Sequence, residues 1–365
     1  MKMNMDGELE KILYLIKYLN DSLKIKINLT SLEAENMIIN NQLEGLIYLK
    51  KDMIILRKQF EKRIKKRYLE NNLQDLKLET ELKRLNKVIN KTNFEALIHK
   101  GYPLPGKIKG LRFSIDIDFV FKKRNKLMFE EEDFITLHKE MKKAGYHSRF
   151  DLRIKKEPTQ DMSVEEITEL VSVLHSYKEY GYKHPETGVL IEPHLHLVNP
   201  HTPIKFNVQE MFKTSKKIPN MQNIKVPRTE FLILIYAYHL FHHRGEIVLK
   251  ELLTLKLIVE NNLIDWQYLV KKSKQTNISA LVKFYLNLGK QYLDLQIPFK
   301  TLKDLKKDSS KIQLILISLI NKKRLMIKNK DFFLMQLYNS YLIDTKQKRL
   351  FEFLHKSLNN IINRK

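Results

Sequence analysis

Residues 113–124 read FSIDIDFVFKKR, and the period of this stretch decides the fold class. Phe113, Ile115, Ile117, Phe119 and Phe121 alternate with Ser114, Asp116, Asp118 and Val120, as they should in a strand half-buried in a sheet. Alternate strand residues point to one side, so Asp116 and Asp118 present their carboxylates together. Two like charges that close need a counter-charge. A divalent cation supplies it: Mg²⁺ prefers oxygen ligands and is typically held by one or two carboxylates and a substrate's phosphates. Acids on a solvent-facing strand, or a pair neutralised by Lys122, Lys123 and Arg124, are the plainer alternatives.

Outward from this strand the texture changes on both sides. All ten prolines lie between Pro103 and Pro298, eight of them by Pro219, while the flanks are rich in Leu, Ile, Lys and Asn. In residues 8–92 apolar side chains recur at three- and four-residue steps, as at Leu43, Leu46, Ile47, then Ile54, Ile55, then Leu69, Leu73, Leu76, which predicts amphipathic helices. After the strand, Glu132 to Ala144 predicts a helix stopped by Gly145. His147 to Ile154 predicts a second strand, and Ser163 to Tyr180 a helix capped by Ser163 with Glu166 three residues on. A third strand is predicted from Val189 to Val198. From Thr229 the pattern is helical again, broken near Gly245, Asn261, Asn277, Pro298 and Ser309. The expectation is an α+β chain in three parts: an N-terminal helical region (1–92), a small mixed β-sheet core (93–215) and a C-terminal helical domain (216–365).

The chain has 365 residues, 66 Lys+Arg against 42 Asp+Glu, a net charge of +24 and 43% hydrophobic residues. That apolar content is enough for buried cores and excludes a wholly disordered chain. The excess charge is uneven: residues 101–210 are neutral, and residues 211–365 carry +18. Lys62, Arg63, Lys65, Lys66 and Arg67, and further on Lys322, Lys323 and Arg324, could meet phosphates or be solvated helix surface. There is no cysteine, which removes disulfides, thiolate metal sites and thiol nucleophiles, and suits a reducing compartment. The N-terminus mixes charges among its apolar residues and lacks a signal-peptide core. The longest uncharged apolar runs, Phe231 to His243 and Ile312 to Asn321, fall short of the roughly 18–20 residues that span a bilayer. A cytoplasmic location is expected. No P-loop, dinucleotide-binding glycine fingerprint or nucleophile elbow is present, so kinase, dehydrogenase and serine hydrolase chemistries have no support.

Upstream of the acids, the apolar run Phe94 to Ile98 leads into Lys100-Gly101, then Tyr102 and a thirteen-residue spacer before Asp116. This resembles the nucleotidyltransferase superfamily of the DNA polymerase beta type, in which a glycine lets backbone approach a triphosphate ahead of two acids flanking an apolar residue. Tyr102 stands where that pattern has a second small residue. The chain is more closely similar to a bacterial family of largely uncharacterised nucleotidyltransferases. The matching residues are Lys100-Gly101, Arg112 ahead of Asp116-Ile117-Asp118, Ile191-Glu192-Pro193-His194, and His239 with His243, in that order, over about residues 35–290.

The resemblance implies a set of roles. Asp116, Asp118 and Glu192 would be the catalytic and metal-binding acids, with Glu192 completing one metal and receiving the acceptor's proton. Lys100, Gly101 and Arg112 would bind the nucleotide. Arg112 would share the acids' strand face at about 13 Å, too far for an ion pair and suited to a triphosphate. Surface salt bridges are the alternative for Lys100 and Arg112. His194 could contact substrate or be structural, and the same holds for His239 and His243. Their i, i+4 spacing, taken with His194 and His196, also admits a zinc reading, although no H-E-x-x-H is present and Gly245 intervenes before Glu246. The family often carries an acid shortly after the two-histidine helix, where this chain has Thr254.

The implied function is Mg²⁺- or Mn²⁺-dependent transfer of an NMP group from an NTP, ATP among the candidates, to an acceptor hydroxyl with release of pyrophosphate. A small molecule or a peptide or protein side chain is favoured over RNA as acceptor, because the positive charge is spread over many helices without an aromatic single-strand platform. Three acids without metal should repel one another, so removing one should not destabilise the protein. The competing reading is a non-catalytic basic helical module that binds nucleic acid or a protein partner.

Overall fold

The computed structural model describes residues 7–21, 26–100, 108–111, 114, 116–124, 131–148, 181–194, 197–198, 204–242 and 248–307. Gly101, Tyr102, Arg112, Phe113, Ile115, His196, His243, Glu246, the helix expected from Ser163 and the basic cluster at Lys322 lie outside them. The chain forms two compact units, one of residues 1–66, 202–205 and 229–365, the other of residues 67–201 and 206–228.

The second unit is built on a seven-stranded mixed sheet. Its strands are β3 (Phe94–Lys100), β4 (Asp116–Lys123), β5 (His147–Ser148), β6 (Tyr182–Lys183), β7 (Leu190–His194), β8 (Lys216–Ile218) and β9 (Met221–Val226), in the order β5-β6-β7-β4-β3-β9-β8. β4 is therefore central, antiparallel to β3 and parallel to β7. Its position corrects the half-buried expectation, since Ile117 to Phe121 are all buried, including Asp118. Ile117, Phe119 and Phe121 meet Phe94, Ala96 and Ile98 of β3 and Ile191 of β7 in one apolar layer. Helix α4 (Lys58–Lys91) covers that layer with Leu78, Leu82, Leu85, Val88 and Ile89, and α5 (Glu131–Lys143) with Phe134, Leu137 and Met141. The acids alternate with these core residues and so project from the other face. At the end of β3 remote from Lys100, Glu95 lies between Lys122 Nζ at 3.6 Å and Lys225 Nζ at 3.1 Å, a cross-strand charge pattern that favours this pairing. Helix α6 (Val208–Thr214), capped by Asn207, leads into the β8–β9 pair.

The helix expected from Glu132 is α5, within a residue at either end, and it stops at Gly145 with φ +86°. The third expected strand is shorter than its apolar pattern. β7 is described from Leu190 to His194, and Leu197 and Val198 lie in a bend. Pairing with β6 stops at Ile191 and Pro193 has no N–H to donate, so only the β4 side carries the strand further.

The first unit is mainly helical: α1 (Glu8–Lys17), α2 (Leu32–Asn40), α3 (Glu44–Leu49), α7 (Thr229–His242), α8 (Val248–Glu260), α9 (Trp266–Gln275), α10 (Ser279–Leu293) and α11 (Phe299–Lys307). Ile54 and Ile55 are not helical as their spacing predicts. They form β2, paired in parallel with β1 (Ile27–Asn28), where two β-branched residues fit an extended backbone. The run from Phe231 is the buried α7, as expected of an apolar stretch too short to span a bilayer. No helix among the described residues is long and apolar enough to cross a membrane. Asn41 Oδ1 accepts the N–H of Leu249 at 3.0 Å, and Asp265 caps α9 through the N–H of Tyr268 at 2.9 Å.

Candidate active site

Three neighbouring strands bring the site together at one end of β4. The parallel pairing sets Asp118 level with Glu192, Asp116 with Leu190 and Val120 with His194. Residues level across a ladder share a face, so Asp118, Glu192 and His194 converge. On the other side β3 sets Lys100 level with Asp118, after a register shift between Ile98 and Lys100. Such a bulge re-aims side chains. Here His99 falls within the shifted stretch, and its ring meets that of His194 edge-on at 5.2 Å between centroids.

The distances make one cluster. His194 Nε2 lies 2.9 Å from Asp118 Oδ1 and 3.9 Å from Glu192 Oε2, and Lys100 Nζ lies 3.3 Å from Asp118 Oδ2. Asp118 is fully buried and Glu192 nearly so. Among the described residues Asp118, Glu192 and His194 form the group of His, Asp and Glu side chains able to hold a metal ion, with their ligand atoms within 4.8 Å of one another. Asp116 is not in that group. It opens β4, half-buried, on the same strand face as Asp118. Burial raises the Asp118 pKa, but the hydrogen bond from His194 and the positive fields of Lys100, His194 and His99 prevail and hold it well below the usual carboxylate range. The site is therefore a carboxylate pair set among basic groups. This corrects the expectation of three acids repelling one another unrelieved.

Of the residues singled out in the sequence, Asp116, Asp118, Glu192, His194 and Lys100 occupy this end of the sheet, while Gly101, Arg112 and His243 lie outside the described residues. His239 belongs to the helical unit: its Nδ1 lies 3.2 Å from Oε1 of the buried Glu251 on α8, and Tyr285 OH donates to the Glu251 carbonyl at 2.6 Å. Thr254, one turn on, donates to the carbonyl of Lys250 in its own helix. Among the described residues the acid paired with His239 is thus Glu251, hidden in the sequence within an apolar, helical stretch with no motif of its own. His99 carries no sequence signal beyond its place directly before Lys100-Gly101.

A family model described as an uncharacterised nucleotidyltransferase matches residues 36–294. The chain belongs to this family. No curated protein and no solved structure matches it. Nucleotidyl transfer is the general activity of the family, so a nucleotide is the implied substrate, and the mixed helix-and-sheet architecture is consistent with a nucleotidyltransferase fold.

Proposed function

We propose that this nucleotidyltransferase moves an NMP group from an NTP to an acceptor hydroxyl, with the chemistry centred on Asp118 and Glu192. The observation that carries the reading is the register of β4 and β7, which sets two buried carboxylates side by side with an imidazole beside them. The donor set fits a divalent cation. The buried Asp118 Oδ2 lies 3.3 Å from the Lys100 ammonium without hydrogen-bond geometry, and the Asp118 and Glu192 carboxylates offer the oxygen ligands that Mg²⁺ or Mn²⁺ prefers, with the His194 nitrogen beside them. Asp118 and Glu192 would hold the ion, with Asp116 adjoining. When bound, it supplies Lewis-acid polarisation of the phosphoryl oxygens.

The chain's own groups account for the rest. The acceptor oxygen bonds to the α-phosphorus, the bond to the bridging oxygen breaks, pyrophosphate leaves, and Glu192 takes the acceptor's proton. His194 holds Asp118 in its ionised, oriented state. Lys100 contacts Asp118 and is within reach of an incoming phosphate, whose charge a lysine suits. As acceptor, a small molecule or a peptide or protein side chain is proposed over RNA.

The test is a screen of the four NTPs with Mg²⁺ or Mn²⁺, read by thermal shift and pyrophosphate release. At least one NTP should raise the melting temperature only with metal. Asp118→Asn and Glu192→Gln should lose pyrophosphate release by about 100-fold or more, the scale on which single electrostatic groups act in such sites. Full activity in either variant, or no NTP response in the wild type, removes the catalytic reading in favour of a basic binding module.

A further inference from the structure

A parallel strand pair has no hairpin to set its register, and a slip of one residue turns every side chain to the opposite face. β4 and β7 are such a pair, joined through residues 124–189, yet the site needs Asp118 level with Glu192. Helix α4 grips the chain shortly before each of these strands. Gly110 lies six residues before Asp116. Its N–H donates to Asp75 Oδ2 at 2.9 Å, and its carbonyl accepts from Asn71 Nδ2 at 3.0 Å. Both side chains are buried, and Gly110 has φ +73° with room for no Cβ, which would lie 2.5 Å from the Tyr68 ring.

Six residues further along the same helix, about 9 Å at 1.5 Å per residue, Glu81 is fully buried. Its carboxylate accepts from Thr187 Oγ1 at 2.8 Å and Tyr146 OH at 2.5 Å, and pairs with Arg84 at 2.8 Å. Thr187 lies in the β6–β7 turn, five residues before Glu192. Arg84 reaches the same turn through Glu186 at 2.7 Å.

We propose that Asp75 and Glu81 are positioning residues: two buried carboxylates on one rigid helix, each fixing the start of one acid-bearing strand and together setting the alignment of Asp118 with Glu192. Neither belongs to the described cluster of Asp118, Glu192, His194 and Lys100. A buried carboxylate is a costly choice for an anchor, and an apolar contact would suffice to hold the helix on the sheet, as Leu82 and Leu85 already do. What a carboxylate adds is directional bonds to a particular peptide N–H and a particular hydroxyl, and therefore a fixed position along the strand.

The inference rests on the metal-site reading above, and its test separates the two. Mn²⁺ affinity of the full chain without nucleotide is measured by calorimetry, well below the melting temperature, for Asp75→Ala, Glu81→Gln, Glu81→Ala and Thr187→Val. Val88→Ala, a core truncation in the same helix, serves as control, and Asp118→Asn as reference. Affinity should fall about tenfold in Asp75→Ala and Glu81→Ala, the lower end of what groups behind metal ligands contribute. Glu81→Gln, which keeps an oxygen acceptor, should be closer to the wild type. Val88→Ala should lose stability without losing affinity. If Glu81→Ala does not fold, Thr187→Val carries the β7 arm. Clamp variants that bind Mn²⁺ no worse than Val88→Ala, while Asp118→Asn abolishes binding, overturn the positioning role alone. Unchanged binding in Asp118→Asn overturns the metal site, and the positioning role with it.

Discussion

Taking Asp118 out of water disfavours its charged form, so its ionisation depends on His194 and Lys100 outweighing that cost. The sign of the linkage follows from the direction of the shift. A carboxylate whose folded pKa lies below its ordinary value stabilises the fold fully above that ordinary value, near pH 4, and loses the contribution as pH falls towards the folded value. Wild-type stability measured by urea unfolding should therefore decline more steeply below about pH 4 than that of Asp118→Asn, and the variant should be the less stable of the two at pH 7. Superimposable acid limbs would show that the basic surround does not stabilise Asp118. The same residue marks how far sequence alone reached. Asp116 and Asp118 were legible because a period of two makes neighbouring carboxylates conspicuous, and Glu192 and His194 because their spacing matched a family pattern. The basic surround was not, because His99 reaches His194 only through a bulge on a neighbouring strand, and a bulge leaves no trace in a hydrophobic pattern.

At the scale of elements, period was readable and phase was not. Leu69, Leu73 and Leu76 repeat at helical steps and do lie on α4, yet all three are more than half exposed. The face of α4 turned inward at that level is polar, because it carries Asn71 and Asp75 to the Gly110 turn. A hydrophobic pattern predicts burial only where the partner surface is apolar. A continuous apolar run such as β3 carries no period that separates strand from helix, and β8 and β9, short and interspersed with Lys and Asn, leave no strand pattern in the sequence. Gly110 permits a direct check. Gly110→Ala forces a left-handed backbone on a residue with a Cβ and drives that carbon into Tyr68, so it should destabilise the protein by roughly 2 kcal/mol or more in denaturant unfolding. A loss below about 0.5 kcal/mol would mean that the turn relaxes away from α4.

For the molecule as a whole, the excess of positive charge decides between acceptor classes. A protein that neutralises six to ten phosphates loses about 10³–10⁵ in affinity between 50 and 200 mM salt, whereas an acceptor held in a small site is far less sensitive. Among the described residues the densest basic run is on α4, where Lys62, Arg63, Lys65 and Lys66 are exposed and Arg67 pairs with Glu70 at 3.1 Å. Exposed lysines along one helix repel one another and remain hydrated, which is how a solvated face behaves, and the flanking aromatics Phe60 and Tyr68 are buried and half-buried rather than open for base stacking. Reversing Lys62, Arg63 and Lys65 to Glu should accordingly leave pyrophosphate release within about twofold of the wild type, and the acceptor's KM should change less than tenfold over that salt range. RNA binding with a steep salt slope, lost on the same reversal, would instead make a nucleic-acid end the acceptor and turn the basic helices into part of the substrate site.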